Sequence, residues 1–313
     1  MKRLCGRVLL SVSAIAVVAS PAGASDLIQE PAANATSASA GTQGVTAATA
    51  GDGYWMLDVQ GNVYPFGSAG SFGEPLEEYG GYPGCPSSLE YCDVTISIEP
   101  SPTGAGYWVL DTTGNIWTYG DAGDYGQPET YTDDPWTSIT STASGQGYWV
   151  FSETGCVKAF GDAQFYGDMC GIPLNEGIVG STITPGGSGY YLVAGDGGIF
   201  AFGDAAFYGS TGSMLLNEPV VGMAATASGS GYWLVASDGG VFAFGDGAFY
   251  GSMGSVGLNQ PVVGIVASPT SGGYLMVATD GGIFAFGDVP FHGSLGSTPP
   301  PYPVIDVAVV PGP

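Results

Sequence analysis

The chain has 313 residues, 44% apolar, 12% aromatic and only 10% charged, with 55 Gly and 22 Pro. Such apolar and aromatic content excludes an intrinsically disordered chain and is enough for one or two domains with a real core. Four Lys and Arg against 28 Asp and Glu give a formal charge of −24, which reflects missing bases rather than abundant acids.

The first residues carry most of those bases. Lys2, Arg3 and Arg7 precede an apolar run from Val8 to Ala19, and Ala22-Gly23-Ala24 forms a small-residue cleavage pattern. This predicts a secretory signal peptide over 1–24, because the apolar run is too short to span a bilayer. Cys5 lies before the run, the wrong place for a lipid-anchored cysteine. Cleavage after Ala24 leaves Lys158 alone against 28 acids, a charge of −27. One lysine cannot supply the phosphate contacts of nucleic-acid binding, a P-loop or an arginine clamp, and it disfavours anionic membranes. The expected location is extracellular or on the cell surface. Residues 25–44, rich in Ala, Ser, Thr and Gly, read as a flexible leader.

From residue 45 to 311 the chain is a repeat. A Gly-Tyr pair recurs with its tyrosine at Tyr54, Tyr107, Tyr148, Tyr190, Tyr232 and Tyr274, at intervals of 53, 41, 42, 42 and 42 residues. A period near 42 indicates propeller blades or a solenoid. In the fifth copy, Val220–Ala225 is a short apolar run (strand A), and Tyr232–Ala236 is a second (strand B). Asp238-Gly239 then signals a hairpin into Val241–Phe244 (strand C), and Phe249-Tyr250 suggests a short strand D. Strands B and C are apolar on both faces, so neighbours must cover both. Strand A occurs seven times, from Val45–Ala50 to Val304–Val309, but the B-C-D set only six times. The surplus strand predicts ring closure between the chain ends: an all-β, six-bladed β-propeller whose last strand docks beside the first repeat. A seven-bladed form with one incomplete blade and an open solenoid are the alternatives.

Four cysteines remain after cleavage, and an even number in an exported chain points to two disulfides; their spacings match no usual zinc pattern. Shifted by one period, Cys156 aligns with Gly198 at the start of strand C, and Cys170 with Gly212 just past strand D. Antiparallel C and D would bring the two together, in a loop worth roughly 3 kcal/mol in chain-entropy terms. Cys85 and Cys92 would then pair within the longer first interval.

The stretch Gly231-Tyr-Trp-Leu-Val-Ala-Ser-Asp-Gly-Gly-Val-Phe-Ala-Phe-Gly-Asp246, with Phe249-Tyr-Gly-Ser252 and Leu258-Asn-Gln-Pro-Val-Val-Gly264, resembles a secreted repeat family of actinobacteria. The resemblance spans about Val45 to Val309 and implies a β-propeller, often attached to cell-wall-degrading or other exported domains. It implies no activity for named residues. The first two copies depart from it, with Asn62 and Asn115 replacing a glycine and Ser68 replacing the usual Asp.

Candidate chemistry is sparse. His292, the single histidine, occupies the position of Tyr125, Tyr166, Tyr208 and Tyr250, and of Phe72, so the repeat accounts for it as a ring closing a strand. Asp121, Asp162, Asp204, Asp246 and Asp288 follow strand C, while Asp196, Asp238 and Asp280 sit in the B–C hairpin. A ring of carboxylates could hold Ca²⁺, yet no spacing resembles a calcium loop, and turn hydrogen bonding explains them. The series Trp55, Trp108, Trp149, Tyr191, Trp233 and Leu275 is read as blade-to-blade core rather than sugar platforms. No catalytic, metal or cofactor residue is assigned.

The repeat breaks in the loops from strand D to the next strand A. One carries Glu77, Glu78, Tyr79, Tyr82 and Tyr91 with the Cys85/Cys92 pair, and the next Tyr131, Asp133, Asp134 and Trp136. Insertions in repeat proteins map to one face, often the binding face, so these loops are expected to form an exposed aromatic and acidic patch. The leading functional expectation is an exported, non-enzymatic binding module for a cell-envelope glycan or an extracellular protein. A carboxylate-dependent hydrolase of a neutral polysaccharide and a structural matrix protein are the alternatives.

Overall fold

The computed structural model describes residues 52–75, 94–129 and 134–311. The first copy supplies β1 (Gly53–Asp58) and β2 (Val63–Gly67); the second β3 (Thr95–Pro100), β4 (Gly106–Asp111) and β5 (Ile116–Gly120). The third supplies β6 (Trp136–Ser141), β7 (Gly147–Ser152) and β8 (Val157–Gly161), and the fourth β9 (Ile178–Ile183), β10 (Gly189–Ala194) and β11 (Ile199–Gly203). The fifth gives β12 (Val220–Ala225), β13 (Gly231–Ala236) and β14 (Val241–Gly245), the sixth β15 (Val262–Ala267), β16 (Gly273–Ala278) and β17 (Ile283–Gly287), and β18 (Val304–Val309) follows. These strands form six three-stranded antiparallel sheets, with no helical element among the described residues.

Each sheet is built outward from a middle strand buried along its whole length, as in β13, whose alternate residues face different neighbours. Tyr232 and Leu234 pack with Tyr191 and Val193 of the preceding copy, while Trp233 and Val235 pack with Tyr274 and Met276 of the next. This is the two-sided burial that the apolar runs demanded. The hairpin into β14 turns at Gly239, whose φ of 79° suits glycine, and closes with Ala236 N–H on the Gly240 carbonyl at 2.8 Å. At Gly245 (φ 63°) an added Cβ would lie 2.1 Å from the Ser230 carbonyl oxygen, so the strand end admits no side chain.

The last strand completes the first sheet. β18 pairs antiparallel with β1, placing Tyr54 opposite Val309 and Trp55 opposite Ala308. Leu275 and Val277 of the last copy share a core with Tyr54 and Met56 of the first. The first strand of each sheet also lies against its counterparts, in the order β3, β6, β9, β12, β15, β18 and back to β3.

The expected fourth strand is absent from every sheet. The segment after each third strand bonds a tyrosine hydroxyl instead of a strand. Tyr232 Oη takes the Tyr208 N–H at 3.1 Å and donates to the Gly209 carbonyl at 2.6 Å. Tyr107, Tyr148, Tyr190 and Tyr274 do the same to the copy before them, and Tyr54 does so to His292 and Gly293 of the last copy. One side chain satisfies the polar groups a strand partner would have met. The first expected strand, Val45–Ala50, and the 1–24 and 25–44 segments lie outside the described residues.

Candidate binding surfaces and the central cavity

The six inner strands, β3, β6, β9, β12, β15 and β18, line a cavity of about 360 Å³. Its wall is uneven. At the third position of these strands stand Ser97, Ser138, Gly180, Gly222, Gly264 and Asp306, and at the fifth Glu99, Thr140, Thr182, Ala224, Val266 and Ala308. Asp306 Oδ2 accepts the Ile98 N–H of β3 at 2.9 Å, and Glu99 Oε1 accepts the Ser141 N–H of β6 at 2.9 Å and its hydroxyl at 2.8 Å. Ser138 and Thr140 of β6 meet Ser181 Oγ of β9 at 2.9 and 3.1 Å. Polar side chains therefore strap β18 to β3, β3 to β6 and β6 to β9.

Both carboxylates line the cavity. Burial pushes Glu99 up to about 7, opposed by its Ser141 hydrogen bonds and raised further by the Asp306 charge. Burial also pushes Asp306 up to about 6, opposed by N–H donors from Ile98 and Val307 and by Ser97.

The acids of the turns have assigned partners. Asp246 accepts the Thr226 hydroxyl at 2.9 Å and the Ser228 hydroxyl at 2.5 Å; Asp162 does the same with Thr142 and Ser144, and Asp204 with Thr184. Asp121 bonds Ser101 and Thr103, and Asp288 bonds Thr270. Asp196, Asp238 and Asp280 each accept the N–H of the glycine two residues on, at 2.8 to 2.9 Å. Hydroxyls of the A–B turn, which the sequence did not single out, are the partners of the first series.

The four indoles in the middle strands, at Trp55, Trp108, Trp149 and Trp233, are buried, each donating to a carbonyl 15 residues ahead at 2.7 Å. That is the core role expected of them. His292 Nε2 stands 2.9 Å from Asp52 Oδ1. Its counterparts Tyr125, Tyr166, Tyr208 and Tyr250 donate to carbonyls at Gly145, Gly187, Gly229 and Ser271 of the following copy. His292 also reaches from the last copy to the first, but through the Asp52 carboxylate rather than a main-chain carbonyl.

The expected Cys156–Cys170 disulfide is present, with Cα atoms 4.4 Å apart. At the matching position of the next copy, a Cβ on Gly212 would sit 3.3 Å from Gly198 Cα, so the backbones already approach closely where no bond exists. Glu77, Glu78, Tyr79, Tyr82, Tyr91, Tyr131 and the Cys85/Cys92 pair lie outside the described residues. Trp136 requires a correction: it begins β6 and is only 4% exposed, packed with Trp108 and Tyr148, so it does not belong to an exposed patch. It occupies the first position of an inner strand, where other copies place Ile178, Val220 and Val262. Asp134 beside it bonds Ser152 and Thr154 at 2.6 Å.

The sequence reasoning missed a different surface. Phe165, Phe207, Phe249 and Phe291 are 58 to 62% exposed and recur every 42 residues, one on each of four consecutive copies. Ile172, Met214 and Val256, also 42 apart, form a second exposed series. The signal was in the repeat itself, which places a second ring beside the one that contacts the next copy. An acid lies three residues before each Phe, and Lys158 is the only Lys or Arg among the described residues. No protein-family model matches this chain, and no curated protein matches it.

Proposed function

We propose that the chain is an exported, closed six-bladed β-propeller acting as a non-enzymatic binding module for a cell-envelope glycan or an extracellular protein. The carrying observation is the series Phe165, Phe207, Phe249 and Phe291, large apolar rings left in water at the same place on four copies. A single exposed apolar residue is ordinary; what marks this series is the repetition of one ring at the same position on four copies. Four equivalent weak contacts also suit a ligand that repeats, because each engagement raises the effective concentration of the next. Closure is supported by the β18–β1 pairing, the shared last-to-first core and the His292–Asp52 contact. The disulfide is compatible with an oxidising, extracellular setting.

A hydrolase draws its one specific support from Glu99 and Asp306, two carboxylates in one cavity with raised pKa values. Both, however, accept N–H groups of adjacent inner strands, an arrangement that serves the scaffold. The test is a pull-down of the exported chain against purified envelope fractions, with the Phe165→Ala, Phe207→Ala, Phe249→Ala, Phe291→Ala variant beside it. Retention by wild type and loss in the variant are expected. Absence of retention on every fraction, or turnover of a neutral polysaccharide abolished by Glu99→Gln, would overturn the reading.

A further inference from the structure

The loop from β17 to β18 departs from its counterparts. The two preceding copies read Leu216-Asn-Glu-Pro219 and Leu258-Asn-Gln-Pro261, whereas this one reads Pro300-Pro-Tyr-Pro303. Tyr302 therefore stands where Glu218 and Gln260 stand, with 40% of its surface exposed. It lines an open surface cavity of about 420 Å³ whose wall also includes Asn259, Gln260, Thr279 and Asp280.

We propose that this cavity is a subsite for a neutral sugar residue, which deepens the binding reading above and rests on it. The chemistry of the wall selects the class. The two amides and the hydroxyl offer both donors and acceptors, as sugar hydroxyls require. Thr279 Oγ1 reaches Gln260 Oε1 only at 3.4 Å, a long contact that a ligand hydroxyl can displace. Asp280 commits Oδ1 to the Gly282 N–H at 2.9 Å and keeps its other oxygen as an acceptor. No Lys, Arg or His lines the cavity, so an anionic group would face a carboxylate without a counter-charge. One carboxylate falls far short of the six to eight oxygens of a calcium site. The Tyr302 ring supplies flat apolar area for the C–H face of a pyranose, with its hydroxyl left wet. The prolines that flank Tyr302 fix φ along that stretch of the wall, so little ordering is needed on binding.

The experiment is titration calorimetry of the full exported chain with maltohexaose, cellohexaose, chitohexaose and mannohexaose, and with polygalacturonate as the anionic comparator. At least one neutral oligosaccharide is expected to bind saturably, about tenfold more weakly to Tyr302→Ala and nearly unchanged to Tyr302→Phe. Equal binding by Tyr302→Ala, preference for polygalacturonate, or no binding of any oligosaccharide would overturn the subsite. If envelope fractions still retain the chain in those cases, the broader binding reading survives; if they do not, both fall.

Discussion

The regular half of the molecule, β9 to β17, and the half that joins its ends, β18 with β1 to β8, solve one packing problem differently. In the regular half the inner strands approach at glycine: a Cβ on Gly222 would sit 3.6 Å from both Gly264 Cα and Ile265 N. In the joining half the same positions carry Ser97, Ser138 and Asp306, and the strands are strapped by side-chain hydrogen bonds. The outer surface divides one copy earlier, since the exposed Phe series begins at Phe165 in the third copy and its counterparts in the first two are Ser71 and Asp124. Repetition accounts for how any copy packs on the next. Departures from it mark where the chain has a particular task, and here they gather at the junction.

The largest effect should follow from opening that junction. A chain ending at Pro303 loses Val304, Val307 and Ala308 from the core and strips β1 of one of its two partner strands. Each large apolar side chain lost is worth about 1.5–3 kcal/mol, so chemical denaturation should report a loss of several kcal/mol or no cooperative transition. Removing the equivalent contacts in the regular half, by Trp233→Ala, should cost about 3–5 kcal/mol and keep a cooperative transition. If truncation proves the milder change, the junction is not the weak point that the comparison makes it. Next in size is the Cys156–Cys170 bond: the Cys156→Ser, Cys170→Ser double variant should lose about 2–4 kcal/mol in guanidinium melts.

That ordering follows what was legible in the sequence. The middle and third strands were readable because their apolar runs are bounded by Asp-Gly and Gly-Asp, and the disulfide because two cysteines fell on facing positions of the period. The missing fourth strand was not readable, since Phe249-Tyr250 has strand-like composition, and only the placement of Tyr274 shows that a hydroxyl satisfies its backbone. Trp136 read as a loop aromatic because its copy lacks the aliphatic residue that begins other inner strands. Glu99 and Asp306 were invisible as a pair: they are 207 residues apart in sequence, and only the packing of β18 against β3 brings them together.

Those two carboxylates make the junction sensitive to pH. Their folded pKa values, about 7 and about 6, exceed the ordinary carboxylate range, so the folded state binds protons more tightly than the unfolded chain. Stability is then greatest in mild acid and falls as pH rises from about 4 through 6 for Asp306 and 7 for Glu99, by at most about 1.4 kcal/mol per pH unit for each group. Glu99→Gln should flatten the part of the decline between pH 6 and 7. Thermal melts at pH 5, 6, 7 and 8 read both chains, and an unchanged slope in the variant would place the sensitivity elsewhere.

The smallest effect tests whether the glycines of the regular half are required or merely permitted. Gly222 has no positive φ, and its added Cβ would meet neighbours at ordinary contact distance. Gly222→Ser, which copies the third position of β3 and β6, should therefore shift stability by less than about 1 kcal/mol. Gly245→Ala, in the same copy, meets a carbonyl oxygen at 2.1 Å in a left-handed conformation, and should cost several times more. A large loss at Gly222 would mean that the inner strands tolerate side chains only where straps have already spread them, so that the joining half spaces its inner strands more widely rather than simply being the more polar half.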